Sequence, residues 1–118
     1  EQKPRHLLGI GYLEDIPNII KAGIDTFDCI VPTHYARRGR AFTSQGELDL
    51  EKSIFFKDKK PLDKNCSCFV CQDYKRNYIS HLFRAKEITA LKLLTFHNLY
   101  FFNAFIKNIR QKIQQGQF

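Results

Sequence analysis

The feature that most restricts how this chain can fold is one short run, Cys66-Ser67-Cys68-Phe69-Val70-Cys71. It holds three of the protein's four cysteines. The spacing C-x-C-x-x-C lets a single loop wrap an ion, and such crowding suits a metal better than a disulfide framework. Three thiolates leave one corner of a tetrahedron to fill. His97, in an apolar stretch of helical character, can fill it; on chemistry alone, so can His34 or His81. A shell of three thiolates and one imidazole is closed, which predicts a structural Zn2+ rather than a catalytic one. The competing reading is a chance cluster of thiols beside a core histidine.

The first 33 residues read as strand, helix, strand. Leu7 to Gly11 is a short apolar run ending in glycines, and Leu13 to Ala22 carries Ile16, Ile19 and Ile20 at helical spacing. Glu14 and Asp15 fall where a first helical turn favours negative charge. Pro17 is tolerable that early, and Gly23 is a natural stop. Thr26 to Val31 predicts a second strand, broken by Pro32. This alternation predicts parallel pairing with a right-handed crossover. Two strands alone would leave both outer edges unpaired, so the unit reads as part of a larger sheet or barrel.

Beyond Thr33 the pattern changes. His34 to Arg40 reads as a basic loop, and Ser44-Gln45-Gly46 as a hairpin turn between Ala41–Thr43 and Glu47–Leu50. Ser53 to Phe56 predicts a third short strand. From about Asp73 the chain is mostly helical up to Gln115, with Gly116 as a stop. The division is 1–33, 34–72 for basic loop, hairpin and Cys cluster, and 73–118 for the helices.

Three places near the strand ends invite chemistry. Gly9 and Gly11 precede a helix, where backbone can approach a ligand and helix N–H groups can meet an anion. Asp28 lies in an apolar strand, where a carboxylate must be paired, solvated or functional. The C-terminal ends of parallel strands are where such folds place chemistry, and a carboxylate there can attack the anomeric carbon of a ribose. Asp25 is its rival, and spacing does not choose between them. Arg37, Arg38 and Arg40, with His34 and Tyr35, offer guanidiniums for phosphates and a ring for stacking on a base. An excess of 19 Lys and Arg over 12 Asp and Glu, a net +7, suits the same kind of partner.

The start, Glu1-Gln2-Lys3-Pro4, is too polar for a signal peptide. The most apolar stretch, Ile88 to Ile106, is interrupted by Lys92, His97, Asn98 and Asn103, too many polar groups for a lipid-facing span. The expectation is a cytoplasmic protein without a membrane segment.

Together these residues resemble the bacterial-type tRNA-guanine transglycosylases. The matching segments are HLLGIG at 6–11, GIDTFDCIVPT at 23–33, ARRGRAFT at 36–43, KPLDKNCSCFVCQ at 60–72 and YISHLFRAKE at 78–87, with His97 at the family's interval. The resemblance implies an α/β fold, the C-terminal part of a (β/α)8 TIM barrel with an inserted zinc-binding subdomain. It assigns Asp28 as the nucleophile, in preference to Asp25, acting on the wobble guanosine of G-U-N anticodons in transfer RNA. Guanine would be replaced by a 7-deazaguanine, such as 7-aminomethyl-7-deazaguanine, in queuosine biosynthesis. Leu8 and Gly9 match the base pocket, with Leu8 where methionine is common. Cys66, Cys68, Cys71 and His97 match zinc ligands. Arg37 matches an arginine that reads the anticodon-loop uridine, His34 stands where many relatives have arginine, and Arg38 of the same basic loop is a further candidate for contact with the RNA. Tyr74, Tyr78 and His81 match a homodimer interface. The family's second catalytic carboxylate lies outside these segments, so this chain alone is expected not to turn over. The alternative reading is a zinc-stabilised RNA-binding module or partner subunit without catalysis.

Overall fold

A computed structural model describes residues 2–118. Strand β1 (His6–Leu7) pairs in parallel with β2 (Thr26–Phe27), His6 opposite Thr26 and Leu7 opposite Phe27. Helix α1 (Ile16–Lys21) connects them. Helix α2 (Val31–Arg37) leads into an antiparallel hairpin of β3 (Arg40–Thr43) and β4 (Gly46–Asp49). A 3-10 turn at Ser53–Phe55 follows, then α3 (Phe69–Asp73), α4 (Arg76–Arg84) and the long α5 (Ile88–Gln114). No helix among the described residues is long and apolar enough to cross a membrane.

The parallel pairing and the hairpin agree with expectation. Ser44-Gln45 forms the turn, and Gly46 leaves it at φ +113°, a backbone angle that disfavours any side chain. Gly116, at φ +70°, lies just past the end of α5. Four local expectations need correction. Both parallel strands are only two residues long. Val31 to Arg37, read as strand end and loop, is helix α2; Pro32 does not break it because a first-turn residue needs no intrahelical N–H donor. Ser53 to Phe55 is 3-10 rather than strand. Helix α1 starts at Ile16, so Glu14 and Asp15 precede its first turn.

Two apolar cores are joined by one helix. The first gathers Leu50, Phe55, Leu62, Val70, Ile79 and Leu82 around Cys68 and Cys71. The second packs Ile16, Val31 and Phe42 with flanking Leu13, Ile20 and Phe27. Helix α5 feeds both from one stripe: Ala90, Leu93 and Leu94 enter the first, Phe102 and Ile109 the second. Steps of three and four residues keep these positions on one face. At 27 residues α5 is about 40 Å long. It stretches the molecule to 52 × 27 × 20 Å, with a radius of gyration of 15.9 Å. A compact chain of this length would have roughly 13–14 Å.

The loop leading to the cysteines is braced by an ion pair with little solvent access. Arg76 donates to Asp58 Oδ2 at 3.1 Å, to the Pro61 carbonyl at 2.9 Å and to the Leu62 carbonyl at 3.1 Å. Burial alone would push the Asp58 carboxyl up. The Lys60 N–H and the Arg76 guanidinium outweigh it and hold Asp58 below the usual carboxylate range. A depressed folded-state pKa stabilises above the unfolded value, and the benefit is lost as pH falls through the folded one. Asp58→Asn should therefore cost on the order of 2 kcal/mol near neutrality and progressively less in acid. Thermal unfolding of both proteins across that range checks it; a pH-independent gap contradicts it.

Candidate metal centre and strand-end site

Cys66 and Cys68 lie in the loop before α3, Cys71 in the first turn of α3, and His97 midway along α5. Their donor atoms all lie within 4.8 Å of one another. The His97 Nδ1 stands 3.9 Å from Cys66 Sγ, 3.5 Å from Cys68 Sγ and 3.3 Å from Cys71 Sγ. A tetrahedral ion with ordinary thiolate and imidazole bond lengths puts sulfur and nitrogen about 3.6 Å apart. The tautomer also fits. His97 Nε2 lies 2.7 Å from the Phe42 carbonyl, which can only accept, so Nε2 carries the proton and Nδ1 turns its lone pair to the sulfurs.

Without an ion the site favours neutral groups. Burial pushes the Cys66 and Cys71 thiols up, with the neighbouring sulfurs adding to it. Burial also holds His97 neutral, below its ordinary range. Without a cation the thiolates are unfavourable here; a divalent ion makes thiolate the preferred form. The cluster can thus hold a metal ion with four protein donors. Among the three candidate histidines the structure gathers His97; His34 stands in α2 and His81 in α4.

Asp63, a residue that sequence reasoning passed over, holds the metal loop against the hairpin. Its carboxylate accepts from Ser44 N at 2.7 Å, Ser44 Oγ at 2.8 Å and Asn65 N at 3.0 Å. Its carbonyl accepts the Cys66 N–H at 3.2 Å. Asn98, beside His97, was also missed; an amide in an otherwise apolar helix face was the available signal. It is fully buried and bonds to Phe42, Pro32 and Arg40.

Asp28 follows β2 and its Oδ1 accepts the Gly9 N–H at 3.0 Å. His6 Nε2 approaches the same oxygen at 3.8 Å, while His6 Nδ1 meets Thr26 Oγ1 at 2.8 Å. The Asp28 side chain is 66% exposed and Leu8, next to Gly9 in the chain, is 75% exposed. Asp25 sits at the opposite end of β2, where its Oδ2 accepts the Arg5 N–H at 2.8 Å. Gly9, at φ +67°, has the conformation that frees its N–H for Asp28. Gly11 has a packing role: a Cβ there would meet Cys29 Sγ at 2.7 Å. Because α1 begins only at Ile16, neither glycine opens a helix, which removes the anion site expected there.

Arg37, the last residue of α2, and Arg38, its C-cap, are exposed, with His34 half-buried. Arg40 pairs with Glu47 at 3.3 Å. Tyr35 is not the free stacking ring expected; it packs on Phe42 at 5.3 Å and Tyr12 at 6.4 Å. On the α4 side Tyr74 and Tyr78 stack at 5.7 Å, with His81 exposed one turn further on. The ring series continues through Phe69 to Phe96.

The family described as TGT, queuine tRNA-ribosyltransferase, matches residues 1–118. Curated relatives bearing the name queuine tRNA-ribosyltransferase include one from Thermodesulfovibrio yellowstonii, 43% identical over 118 residues, covering 100% of this chain and 31% of the relative. One from Caldanaerobacter subterraneus subsp. tengcongensis is 46% identical over 115 residues, covering 98% of this chain and 31% of the relative. One from Natranaerobius thermophilus is 44% identical over 118 residues, 100% of this chain and 32% of the relative. The chain thus spans about a third of the length of these relatives. Matched by the family from its first residue to its last, and 43–46% identical to these relatives, this chain is a member of the queuine tRNA-ribosyltransferase family.

Proposed function

We propose that this chain forms the C-terminal part of a tRNA-guanine transglycosylase, that β1 and β2 belong to a (β/α)8 barrel, and that Asp28 is its nucleophile. The observation that carries the reading is the carboxylate beyond β2, held by the Gly9 N–H beside exposed Leu8. A barrel places reacting groups at the C-terminal strand ends, where Asp28 stands and Asp25 does not.

In this reading an Asp28 oxygen attacks C1′ of the wobble guanosine as the C1′–N9 bond breaks. Guanine leaves with the bonding electron pair and takes up a proton. A 7-deazaguanine then displaces the carboxylate from C1′ through its own N9, losing a proton, and two inversions retain configuration. The Gly9 N–H orients the attacking carboxylate and stabilises it on departure, and Leu8 offers the base an apolar wall. Arg37 and Arg38 on α2, with His34 beside them, meet the anticodon loop through phosphates and base edges. Tyr74, Tyr78 and His81 form part of a contact with a second copy.

Cys66, Cys68, Cys71 and His97 would hold a structural zinc, whose contribution is a rigid cross-link between the loop and α5. The residues aligned with β1 and β2 supply one carboxylate; acid catalysis and most base recognition then fall to other parts of the longer protein. The 118-residue chain should give no labelled-guanine exchange with a G-U-N transfer RNA, whereas the full-length protein should. Exchange by the 118-residue chain alone would overturn this division of labour.

A further inference from the structure

One buried side chain joins the metal centre to the basic helix. Asn98 follows His97 on α5 and has no solvent access. Its Oδ1 accepts the Phe42 N–H at 3.1 Å. Its Nδ2 donates to the Pro32 carbonyl at 3.1 Å and to the Arg40 carbonyl at 2.9 Å. One amide therefore grips the first turn of α2, the first residue of β3 and the middle of that strand. His97 holds the other backbone polar group of Phe42, its carbonyl, at 2.7 Å.

We infer that Asn98 is a positioning residue that passes the state of the metal centre to α2, fixing where Arg37 and Arg38 stand relative to Asp28. The inference rests on the proposed reading of α2 as an RNA contact. Helix α2 has seven residues and no side-chain N-cap bond, so its own turns hold it weakly. Its placement depends on outside contacts: Val31, Pro32 and Ala36 pack it into the two cores, and Asn98 adds a directional hydrogen bond at its first turn. Hydrogen bonds in a dry site are directional, and leaving a partner unpaired is costly. His97 and Asn98 are consecutive on one rigid helix. An ion that fixes the His97 ring against the cysteine loop also fixes the depth and rotation at which Asn98 meets α2. Loss of the ion loosens that grip without touching Asp28.

The test uses the full-length protein, unaltered and as Asn98→Ala, each loaded with zinc and then stripped with a chelator. Amide hydrogen exchange is read for residues 31–38 and, as a control, for the second half of α5, whose Ile109 packs in the core away from the cysteines. Stripping the unaltered protein should speed exchange across α2 by about tenfold more than in that control. Zinc-loaded Asn98→Ala should already show that speed while keeping one equivalent of zinc and an unchanged control. Protection of α2 that survives the substitution overturns the inference, as does an equal rise in the control, the signature of a merely structural role. If Asn98→Ala does not retain zinc, Asn98→Ser decides, since its hydroxyl is small enough for the site; failure of both to retain zinc refutes a role downstream of the metal. In turnover, the variant's KM for transfer RNA should rise about tenfold with kcat within about twofold. A fall in kcat at unchanged KM also counts against it. Normal base exchange with α2 unmoved refutes only this inference. No base exchange by the unaltered protein refutes the proposed function, and the hydrogen-exchange result then still reports on the coupling.

Discussion

If Asp28 is the nucleophile proposed above, Asp28→Ala in the full-length protein should lower base exchange by roughly four orders of magnitude or more, while transfer RNA binding stays within about threefold. The size of the loss follows from the role. A nucleophile that forms the covalent intermediate has no substitute of equal reach: Asp25 lies at the other end of β2 and is engaged by the Arg5 N–H. Binding survives because the substitution removes one exposed carboxylate, leaving Arg37 and Arg38 in place. Parallel steady-state exchange and RNA-binding titrations distinguish this from a structural role, in which both would fall together. Asp25→Ala is the control and should keep exchange within about tenfold, since it removes a surface hydrogen bond remote from the reacting end.

Removal of the metal has the second large effect. Stripping the ion, or replacing His97 by alanine, should cost on the order of 5 kcal/mol of stability. An ion held by the four side chains would cross-link the buried core around Cys68, Val70 and Cys71 to α5. His97→Ala also abandons the Phe42 carbonyl, which is buried against α5. The loss should be greatest in the hairpin, α3 and the loop at 58–68, and least in the second half of α5, which packs on Ile16, Val31 and Phe42 instead. Thermal unfolding with and without chelator, read alongside metal content, measures it. An unchanged transition in metal-free protein would mean that the four side chains meet without a structural ion.

These expectations separate what local chemistry announces from what only packing decides. The cysteine spacing was legible because coordination constrains residue type and interval together. Donor chemistry alone did not choose among His34, His81 and His97; the family's interval named His97, and the structure gathers it, oriented by the Phe42 carbonyl 55 positions away. Asp28 stood out as a charge in an apolar run, yet its preference over Asp25 depends on which strand end faces the glycine turn. That is a property of the β1–β2 register. Pro32 misled because proline ends a strand and begins a helix with equal ease. Ser53 to Phe56 has strand-like residues, but Phe55 is buried in the metal-side core from a 3-10 turn, so tertiary packing overrode propensity. Tyr35 looked available beside three arginines; the hairpin folds Phe42 onto it. Asp63 and Asn98 act by linking segments distant in sequence, and no window of neighbours reveals that.

The most direct measurement is to trap the full-length protein on a G-U-N anticodon stem-loop, denature the complex, and map the ribose-linked peptide by mass spectrometry. The adduct should lie on the peptide containing Asp28 and be absent in Asp28→Ala. An adduct carried by Asp25 or by any other residue, or one that persists in Asp28→Ala, would contradict the assignment of Asp28 as nucleophile.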